Sequence, residues 1–372
     1  MSANKTSTAA LVGLAIFACA VYAAAERSVS PVHAEAYQKK MHAVSIMRSA
    51  EEILAAEKTK RGIVIDEKND PERSGLVGPQ FTLITTDRGD QEAKQLATHP
   101  NFAAAVTQMM LEAGVREGDV VAVGMTGSLP GFDLAVFSAC KAIGAEPITV
   151  VSVGASMFGA TDPEFTWLDM ETVLREAKVL PYHSAAASLG GGGDQGRGLS
   201  PQGRDLLQQA IQRNGVRLLE NATVLDAVHA RTALYDSIAT SMGRKITCYI
   251  NVGGGVASLG GAQNARLIPP GLTMRLARRN YPNRGVINVY GEHGVPIIQM
   301  LDVKRLARRY GILDKNGQSP KPGQGFVFVR YRYNLLLVSL LAIILTLVNL
   351  FVLRMDLRQK MLGRPHPERA HL

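Results

Sequence analysis

A charge-free apolar run near the C-terminus constrains this chain more than any other feature. Residues 335–353 carry no charged side chain, contain only Ser339, Thr346 and Asn349 as polar residues, and are bracketed by arginines. At about 1.5 Å rise per residue, about 20 such residues cross the roughly 30 Å hydrocarbon layer of a bilayer. The run therefore predicts a transmembrane helix, and any function of the chain has to be compatible with a membrane.

A second, weaker apolar segment occupies residues 9–25, behind a short start at residues 1–8 that contains Lys5. One interpretation is an uncleaved transmembrane helix. The other is a cleavable signal peptide, because a basic start, an apolar centre and the small residues Ala23, Ala24 and Ala25 are typical of a processing site. Both interpretations place the chain that follows on the same side of the membrane.

The distribution of basic residues predicts the orientation. Lys and Arg beside membrane segments tend to stay in the cytoplasm, and the tail at residues 354–372 carries more of them than residues 321–334 do. We therefore expect a protein of the cell (inner) membrane with both termini in the cytoplasm. The segment between the two apolar runs is expected to be extracytoplasmic.

The middle of the chain has the composition of a folded protein. The sequence is 46% hydrophobic and 20% charged, which is the ordinary globular range and allows a substantial core. Residues 26–65 predict a helical stalk, residues 66–312 an α/β domain, and residues 313–334, rich in Gly, Pro, Lys and Gln, a tether that ends in a short strand.

The clearest local architecture is a β-α-β unit. Residues 119–124 predict a buried strand, 125–131 a glycine-bearing loop, 132–143 a helix and 147–153 another strand. Such units build parallel sheets, whose ligands lie at the carboxyl ends of the strands. Further strands are predicted at residues 81–86, 215–219, 245–250 and 285–290. The expected fold is an open, mostly parallel α/β sheet with flanking helices, bracketed by an N-terminal and a C-terminal transmembrane helix.

Two cysteines fall in the predicted outer segment. Cys140 lies in a predicted helix and Cys248 in a predicted strand. An oxidising compartment permits a disulfide between them, and the same two settings also suit buried free thiols. The sequence leaves both alternatives open.

Three loops contain a Ser-Leu-Gly/Pro-Gly pattern, at residues 128–131, 188–191 and 258–261, and three adjacent glycines at residues 253–255 precede the last of these patterns. Glycine-rich loops bring backbone N–H groups close to a ligand, and a helix N-terminus behind them favours a negative charge. The candidate anion-binding residues of these loops are Gly127, Ser128, Gly131, Ser188, Gly190, Gly191, Gly253, Gly254, Gly255 and Ser258. The alternative for Ser128 is that it only caps the following helix.

Catalytic chemistry has weaker support. Ser128 or Ser258 could act as a nucleophile with a histidine base, and Asp133 or Asp226 could orient the histidine ring. The candidate bases are His183, His229 and His293. No G-x-S-x-G elbow, P-loop or zinc-ligand spacing is present, and the glycines after the first strand of the β-α-β unit, Gly124, Gly127 and Gly131, do not have G-x-G-x-x-G spacing. We therefore expect no cofactor and no metal. The sequence leaves open whether the protein is an enzyme and favours a role without catalysis.

The pentapeptide Arg-Leu-Ala-Arg-Arg occurs at residues 275–279 and again at residues 305–309. On a helical projection the second copy separates an apolar arc from a cationic one, so its charges are favourable beside an anionic partner and otherwise merely solvated. The candidate anion-binding cations are Arg275, Arg278, Arg279, Lys304, Arg305, Arg308 and Arg309. Nucleic acid is not an expected partner outside the cell.

The layout of one apolar segment near each end of an α/β domain resembles that of the bacterial poly-gamma-glutamate system protein family. Residues 125–133, Met-Thr-Gly-Ser-Leu-Pro-Gly-Phe-Asp, and residues 251–255, Asn-Val-Gly-Gly-Gly, carry the resemblance. The resemblance implies an accessory role in synthesis or export of this polyanion, with the membrane and other synthesis or export components as partners. A serine-type hydrolase that trims the polymer and a purely structural scaffold remain alternatives.

Overall fold

The structure is a computed structural model that describes residues 8–362. It contains two compact units. The terminal unit consists of the chain up to His33 and from Val329 onward, and the α/β unit consists of Ala34–Phe328. The predicted start, residues 1–8, lies almost wholly outside the described residues, and the predicted tail lies outside them from residue 363.

The described residues form 13 helices and ten strands, of which α1, β1, β10 and α13 belong to the terminal unit. The helices are α1 Thr8–Arg27, α2 Tyr37–Lys60, α3 Gln91–Ala97, α4 Asn101–Glu112, α5 Pro130–Ile143, α6 Trp167–Glu176, α7 Pro201–Arg213, α8 Val224–Ser241, α9 Val256–Leu259, α10 Ala262–Leu267, α11 Val286–Glu292, α12 Val303–Arg309 and α13 Leu335–Leu362. The strands are β1 Ser30–His33, β2 Thr85–Asp87, β3 Val120–Thr126, β4 Glu146–Ser152, β5 Ala155–Ser156, β6 Ala186–Ser188, β7 Ile246–Val252, β8 Gly271–Thr273, β9 Ile297–Met300 and β10 Val329–Arg332.

The terminal unit contains two helices that are long and apolar enough to cross a membrane, over Ala10–Arg27 and Leu335–Met355. The strands next to them, β1 and β10, pair in antiparallel register with Ser30 opposite Arg332, and α1 contacts α13. Since β1 follows α1 and β10 precedes α13, the two helices run in opposite directions. Helix α13 also continues past the predicted end of the apolar run at residue 353.

The α/β unit is built on a six-stranded sheet with the strand order β6-β4-β3-β7-β9-β8. Every neighbouring pair is parallel except β8 and β9. The prediction of an open, mostly parallel sheet with flanking helices is confirmed. Strand β3 is buried along its whole length, as its unbroken apolar sequence predicts for a central strand covered on both faces.

Helices cover both faces of the sheet. Val120 and Ala122 of β3 pack in one core cluster with Tyr235 of α8 and Ile287 of α11. Because side chains alternate along a strand, the intervening residues of β3 face the opposite layer, where α5 contacts β3 and β4. Helices α2 and α4 pack on α5 as a further layer.

The sheet has one topological switch point. From β3 the chain passes through α5 to β4 on one side, whereas β7, the other neighbour of β3, leads to β9 on the other side. In open α/β sheets the crevice outside the carboxyl ends of such a strand pair is where ligands bind. The ends of β3 and β7 carry the loops around Ser128 and Gly253.

The predicted stalk differs from the structure. Within residues 26–65, α2 packs against α4 and α5 as part of the α/β unit. Its apolar stripe, which includes Ala43, Met47, Ala50 and Leu54, is fully buried. Such a stripe needs a partner surface, and α4 and α5 supply it. The predicted tether is likewise part of this unit as far as Phe328, and Val327 and Phe328 are buried.

Three predicted strands are wrong or shortened. Residues 286–290 form the start of α11, with Gly285 as its N-cap, and the strand follows later at β9. Residues 215–219 supply only an isolated bridge between Leu218 and Ala187, and residues 81–86 reduce to the start of β2. Short apolar runs do not distinguish a strand from a buried helix, which explains the error at residues 285–290. Cys140 and Cys248 are buried free thiols.

Candidate functional site: a cleft at the carboxyl edge of the sheet

A cleft of about 620 Å³ lies at the carboxyl edge of the parallel strands. The loops that follow β3, β6 and β7 all contribute to its lining, so the three glycine-rich loops of the sequence meet at one site. Of the predicted anion-binding residues, those that line the cleft are Ser128, Gly191, Gly253, Gly254 and Gly255. Those that do not line it are Gly127, Gly131, Ser188, Gly190, Ser258, Arg275, Arg278, Arg279, Lys304, Arg305, Arg308 and Arg309.

The loop between β3 and α5 packs closely against the end of α3. A Cβ atom at Gly131 would lie 2.5 Å from the carbonyl oxygen of Ala97, which explains why only glycine fits there. Ser128 does not cap α5, because Leu129 occupies that position without a side-chain cap. The Ser128 hydroxyl instead accepts a hydrogen bond of 3.0 Å from the backbone N–H of Ser156.

The loop after β7 approaches β3 at the switch point. Gly253 has a φ angle of +83°, and a Cβ atom there would overlap the hydroxyl of Thr126. The Thr126 side chain lines the cleft and is buried, and its Oγ1 atom has no hydrogen-bond partner among the described residues. A buried hydroxyl without a partner is costly unless a ligand or water completes it.

The loop after β6 is anchored by a buried ion pair. Asp194 has a φ angle of +64°, and its Oδ2 atom lies 2.7 Å from Nη1 of Arg231 on α8. Both side chains are only 2% exposed. The hydroxyls of Ser152 and Ser188 each donate to Oδ1 of Asp194 at 2.8 Å. This network anchors the glycine loop to α8, β4 and β6. No sequence pattern predicted it.

Lys94 of α3 is the one lysine that lines the cleft among residues 8–362. It is 6% exposed, and its Nζ atom donates to the carbonyl oxygen of Ser128 and to Oγ of Ser156 at 2.7 Å. Burial lowers the pKa of Lys94 to about 8, although Asp133 and Asp90 act in the opposite direction. The ammonium is therefore the dominant form at neutral pH, but it loses its proton far more readily than an exposed lysine.

Asp133 lies beneath the cleft in the first turn of α5. Its side chain is fully buried, and neither carboxyl oxygen has a hydrogen-bond partner among the described residues. Burial, together with the nearby Glu171, raises the pKa of Asp133 well above its ordinary value, while Lys94 lowers it in part. Asp133 is thus a buried group of the supporting layer, and no histidine among residues 8–362 forms a hydrogen bond with it.

The carboxylates that line the cleft already have partners. Asp87 accepts a hydrogen bond of 2.7 Å from the backbone N–H of Arg88. Asp90 caps α3 and lies 3.1 Å from the ammonium of Lys304. Asp194 is held in its buried ion pair. Two of these three carboxylates are therefore held in ion pairs, whereas Asp87 is exposed and forms no ion pair with the described residues.

The arginines of the cleft are not committed in this way. Arg88 and Arg197 are exposed side chains that line the cleft, and neither forms an ion pair with any of the described residues. The backbone N–H groups of Gly254 and Gly255 also make no hydrogen bond within residues 8–362. The cleft thus offers one buried ammonium, two free guanidinium groups and open backbone donors.

The predicted serine, histidine and aspartate arrangement does not form in the structure. His183, His229 and His293 do not line the cleft, and the Nδ1 atom of His293 instead contacts the carbonyl oxygen of Val289. The Ser258 hydroxyl is buried against the Tyr249 hydroxyl at 2.5 Å. A nucleophile at Ser128 or Ser258 therefore lacks these histidines as its base.

The two Arg-Leu-Ala-Arg-Arg copies adopt different structures. The second copy is helical in α12, with Leu306 and Ala307 buried as the projection predicts. The first copy is irregular, and its three arginines are exposed. Lys304, one of the predicted anion-binding cations, already has acidic partners, since its ammonium lies 2.7 Å from Glu92 and 3.1 Å from Asp90.

Arg305, Arg308 and Arg309, here called the arginine surface, form no ion pair with the described residues. All three are exposed, and Arg309 donates to the carbonyl oxygen of Pro270 at 3.2 Å. Helix α12 begins at the rim of the cleft, since Val303 lines the cleft. The arginine surface therefore lies on a helix whose first residue borders the cleft.

The fold and the cleft define an α/β protein with a cleft at the switch point of its sheet and two apolar terminal helices. Comparison with protein-family models, with curated proteins and with solved structures finds no match to this chain. Among residues 8–362, no group of three or more His, Cys, Asp and Glu side chains is placed to hold a metal ion. These comparisons therefore supply no function for this chain.

Proposed function

We propose that this protein is a membrane-anchored binder of a carboxylate-rich polymer, and that the cleft holds the carboxylate groups. The observation that carries the proposal is the convergence, in one cleft, of three glycine loops with Lys94, Arg88 and Arg197. The resemblance of the sequence to the poly-gamma-glutamate system proteins supplies the polymer. In this role the protein is an accessory component of poly-gamma-glutamate synthesis or export.

The donors suit a chain of carboxylates better than a single small anion. Guanidinium groups present a planar fork that matches a carboxylate, and two of them stand at the rim with no internal partner. Lys94 supplies a charge-assisted hydrogen bond from a position where water screens it little. The arginine surface adds attraction at longer range, so successive carboxylates of one polymer can be held together.

We further propose that the helices over Ala10–Arg27 and Leu335–Met355 anchor the protein in the cell (inner) membrane. Their length and composition support this, and their opposite directions support a topology with both termini on the same side. The excess of basic residues in the tail favours the cytoplasm for that side. The α/β unit is then extracytoplasmic, where it would meet an exported polymer and the other membrane components of the system.

Polymer binding can be tested with the full-length protein in detergent micelles and fluorescently labelled poly-gamma-glutamate. We expect binding that weakens at least about tenfold between about 0.05 M and about 0.5 M NaCl, because exposed charges are screened by salt. The methyl ester of the same polymer, which has the same backbone without the charge, is the matched control and should not bind. Affinity that does not change with salt, or equal binding of the ester, would reject the electrostatic basis.

The proposed topology can be tested separately by protease digestion of intact cells and spheroplasts. Residues 34–328 should be cleaved by external protease, while a tag at the C-terminus should stay protected. Protection of the α/β unit would overturn the extracytoplasmic assignment. Co-purification with membrane components in the absence of any polymer affinity would instead identify a structural scaffold.

A further inference from the structure

The contact between Lys94 and Ser156 has no role in holding a polymer. Ser156 ends the short strand β5 and lines the cleft, and its Oγ atom lies 2.7 Å from Nζ of Lys94. Its backbone is fixed by the hydrogen bond from its N–H group to the Ser128 hydroxyl. The hydroxyl of a partly buried serine in the cleft lining is thus held within hydrogen-bond distance of a buried amine.

We propose that Ser156 is an acyl-transfer nucleophile with Lys94 as its general base, so that the cleft hydrolyses an amide bond of the chain that it binds. Serine and lysine form such a pair in enzymes that lack a histidine base. The choice of an acidic polyamide as substrate rests on the proposed function. The assignment of the nucleophile and base rests only on the geometry.

The reaction uses water as its one co-reactant. Oγ of Ser156 bonds to the carbonyl carbon while its proton passes to the neutral amine of Lys94. The carbon–nitrogen bond then breaks, and the departing amine takes the proton from Lys94, which leaves an ester on Ser156. Water adds to that ester, its proton passes through Lys94 to Oγ, and the chain is released as a carboxylic acid.

The surroundings of Lys94 favour a base that works near neutral pH. The charged groups that act on it are Asp133 in the first turn of α5 and Asp90 at the cap of its own helix. The loop before α5 contributes the Ser128 carbonyl, and β5 contributes the Ser156 hydroxyl. With a pKa of about 8, about a tenth of the Lys94 side chains are neutral at pH 7, compared with well under a thousandth for an ordinary lysine.

The geometry distinguishes Ser156 from the serines singled out by the sequence. Lys94 reaches Ser128 only at its backbone carbonyl, and the Ser128 hydroxyl is occupied by the N–H group of Ser156. The Ser258 hydroxyl is buried against Tyr249. The open N–H groups of Gly254 and Gly255 lie in the same lining and supply the kind of donor that a developing oxyanion requires.

The test is covalent labelling of the full-length protein in detergent micelles by a fluorophosphonate, followed by peptide mass spectrometry. We expect phosphonylation of Ser156, with a rate that rises about tenfold per pH unit below pH 8 and levels off above it. Lys94→Arg, which keeps the charge but cannot act as a base, should lower the rate at least about 100-fold. Ser241→Ala, at an exposed serine outside the cleft, is the matched control and should label normally.

Labelling of another serine, no labelling, or an unchanged rate in Lys94→Arg would overturn the assignment. The wild-type labelling site can be read without any variant, so a misfolded variant cannot obscure the answer. Polymer binding is measured on the same wild-type sample, which separates the two proposals. Binding without labelling overturns the nucleophile alone, whereas labelling of Ser156 without binding supports the nucleophile and overturns the polymer as its substrate.

Discussion

The cleft and the arginine surface carry positive charge in opposite settings. Lys94 is almost completely buried and bonded to fixed oxygen atoms, whereas Arg305 and Arg308 are exposed and form no ion pair within the described part of the chain. A desolvated charge in a fixed position interacts strongly and directionally, while an exposed charge is screened by salt. We therefore expect the cleft to set affinity and the arginine surface to assist encounter.

The largest expected effect concerns the buried ion pair that supports the cleft. Arg231→Met leaves the Asp194 carboxylate buried without its partner, which costs about 3–5 kcal/mol of the free energy of unfolding. Urea unfolding of the full-length protein in detergent micelles measures this. Arg278→Met, at an exposed arginine, is the matched control and should change stability by less than about 0.5 kcal/mol. Equal losses in the two variants would mean that the pair does not hold the loop.

Removal of the buried Lys94 ammonium measures how much the cleft contributes to polymer affinity. Lys94→Met should weaken binding of poly-gamma-glutamate by about 10-fold to 100-fold, since hydrogen bonds to charged groups contribute about 1.5–3 kcal/mol. Burial lowers the pKa of Lys94 to about 8, so the cation is present below that pH and is lost as the pH rises through it. Wild-type affinity should accordingly fall above pH 8, and the affinity of Lys94→Met should not. A wild-type affinity that stays constant from pH 6 to pH 10 would contradict this role.

The switch-point loop offers a pair of adjacent glycines with different constraints. Gly253→Ala places a side chain at positive φ and against Thr126, and we expect a stability loss of about 1–3 kcal/mol together with weaker polymer binding. A Cβ atom at Gly254 meets nothing within 4 Å, so Gly254→Ala should retain stability. Thermal unfolding of the two variants side by side checks this, and indistinguishable behaviour would show that close approach at Gly253 is unimportant.

The smallest expected effect lies at the arginine surface. Exposed charge interactions contribute about 0–1 kcal/mol each, so Arg305→Gln with Arg308→Gln should weaken polymer binding only a few-fold in about 0.05 M salt. The difference from wild type should vanish in about 0.5 M salt. If the double variant loses more affinity than Lys94→Met at high salt, the roles assigned to the two regions are reversed.

The sequence predicts the β-α-β unit and the glycine loops because both depend on local signals. An unbroken apolar strand, a glycine-bearing loop and a helical pattern follow one another within residues 119–153. That the loops after β3, β6 and β7 share one cleft depends on strand order, which no local pattern contains. Parallel pairing alone predicts that such loops emerge at the same edge of a sheet.

The charged residues of the site were harder to find. Arg231 lies within an otherwise ordinary helical segment, and its partner Asp194 follows the Gly190–Gly193 run in a loop. A lone arginine among the apolar residues of α8 was the available signal. No sequence signal indicated Lys94, because its burial results from the packing of β5 and the loop before α5 over a short polar helix.

Identical pentapeptides show where local patterns stop being sufficient. Residues 305–309 form a helix because the preceding Asp302 caps it and Leu306 and Ala307 find a core to pack against. Residues 275–279 have only Leu276 buried, and the segment stays irregular. Tertiary packing, which the sequence alone does not display, decides between the two outcomes.

The central claim is that polymer binding depends on where positive charge lies and not on its amount. Two triple variants that each remove three positive charges test it: Arg88→Gln with Lys94→Met and Arg197→Gln in the cleft, and Arg275→Gln with Arg278→Gln and Arg279→Gln on the exposed irregular segment. In about 0.15 M salt we predict that the cleft variant binds poly-gamma-glutamate at least about 100-fold more weakly than wild type, and the surface variant within about threefold of it. Equal losses of affinity in the two variants would contradict the account.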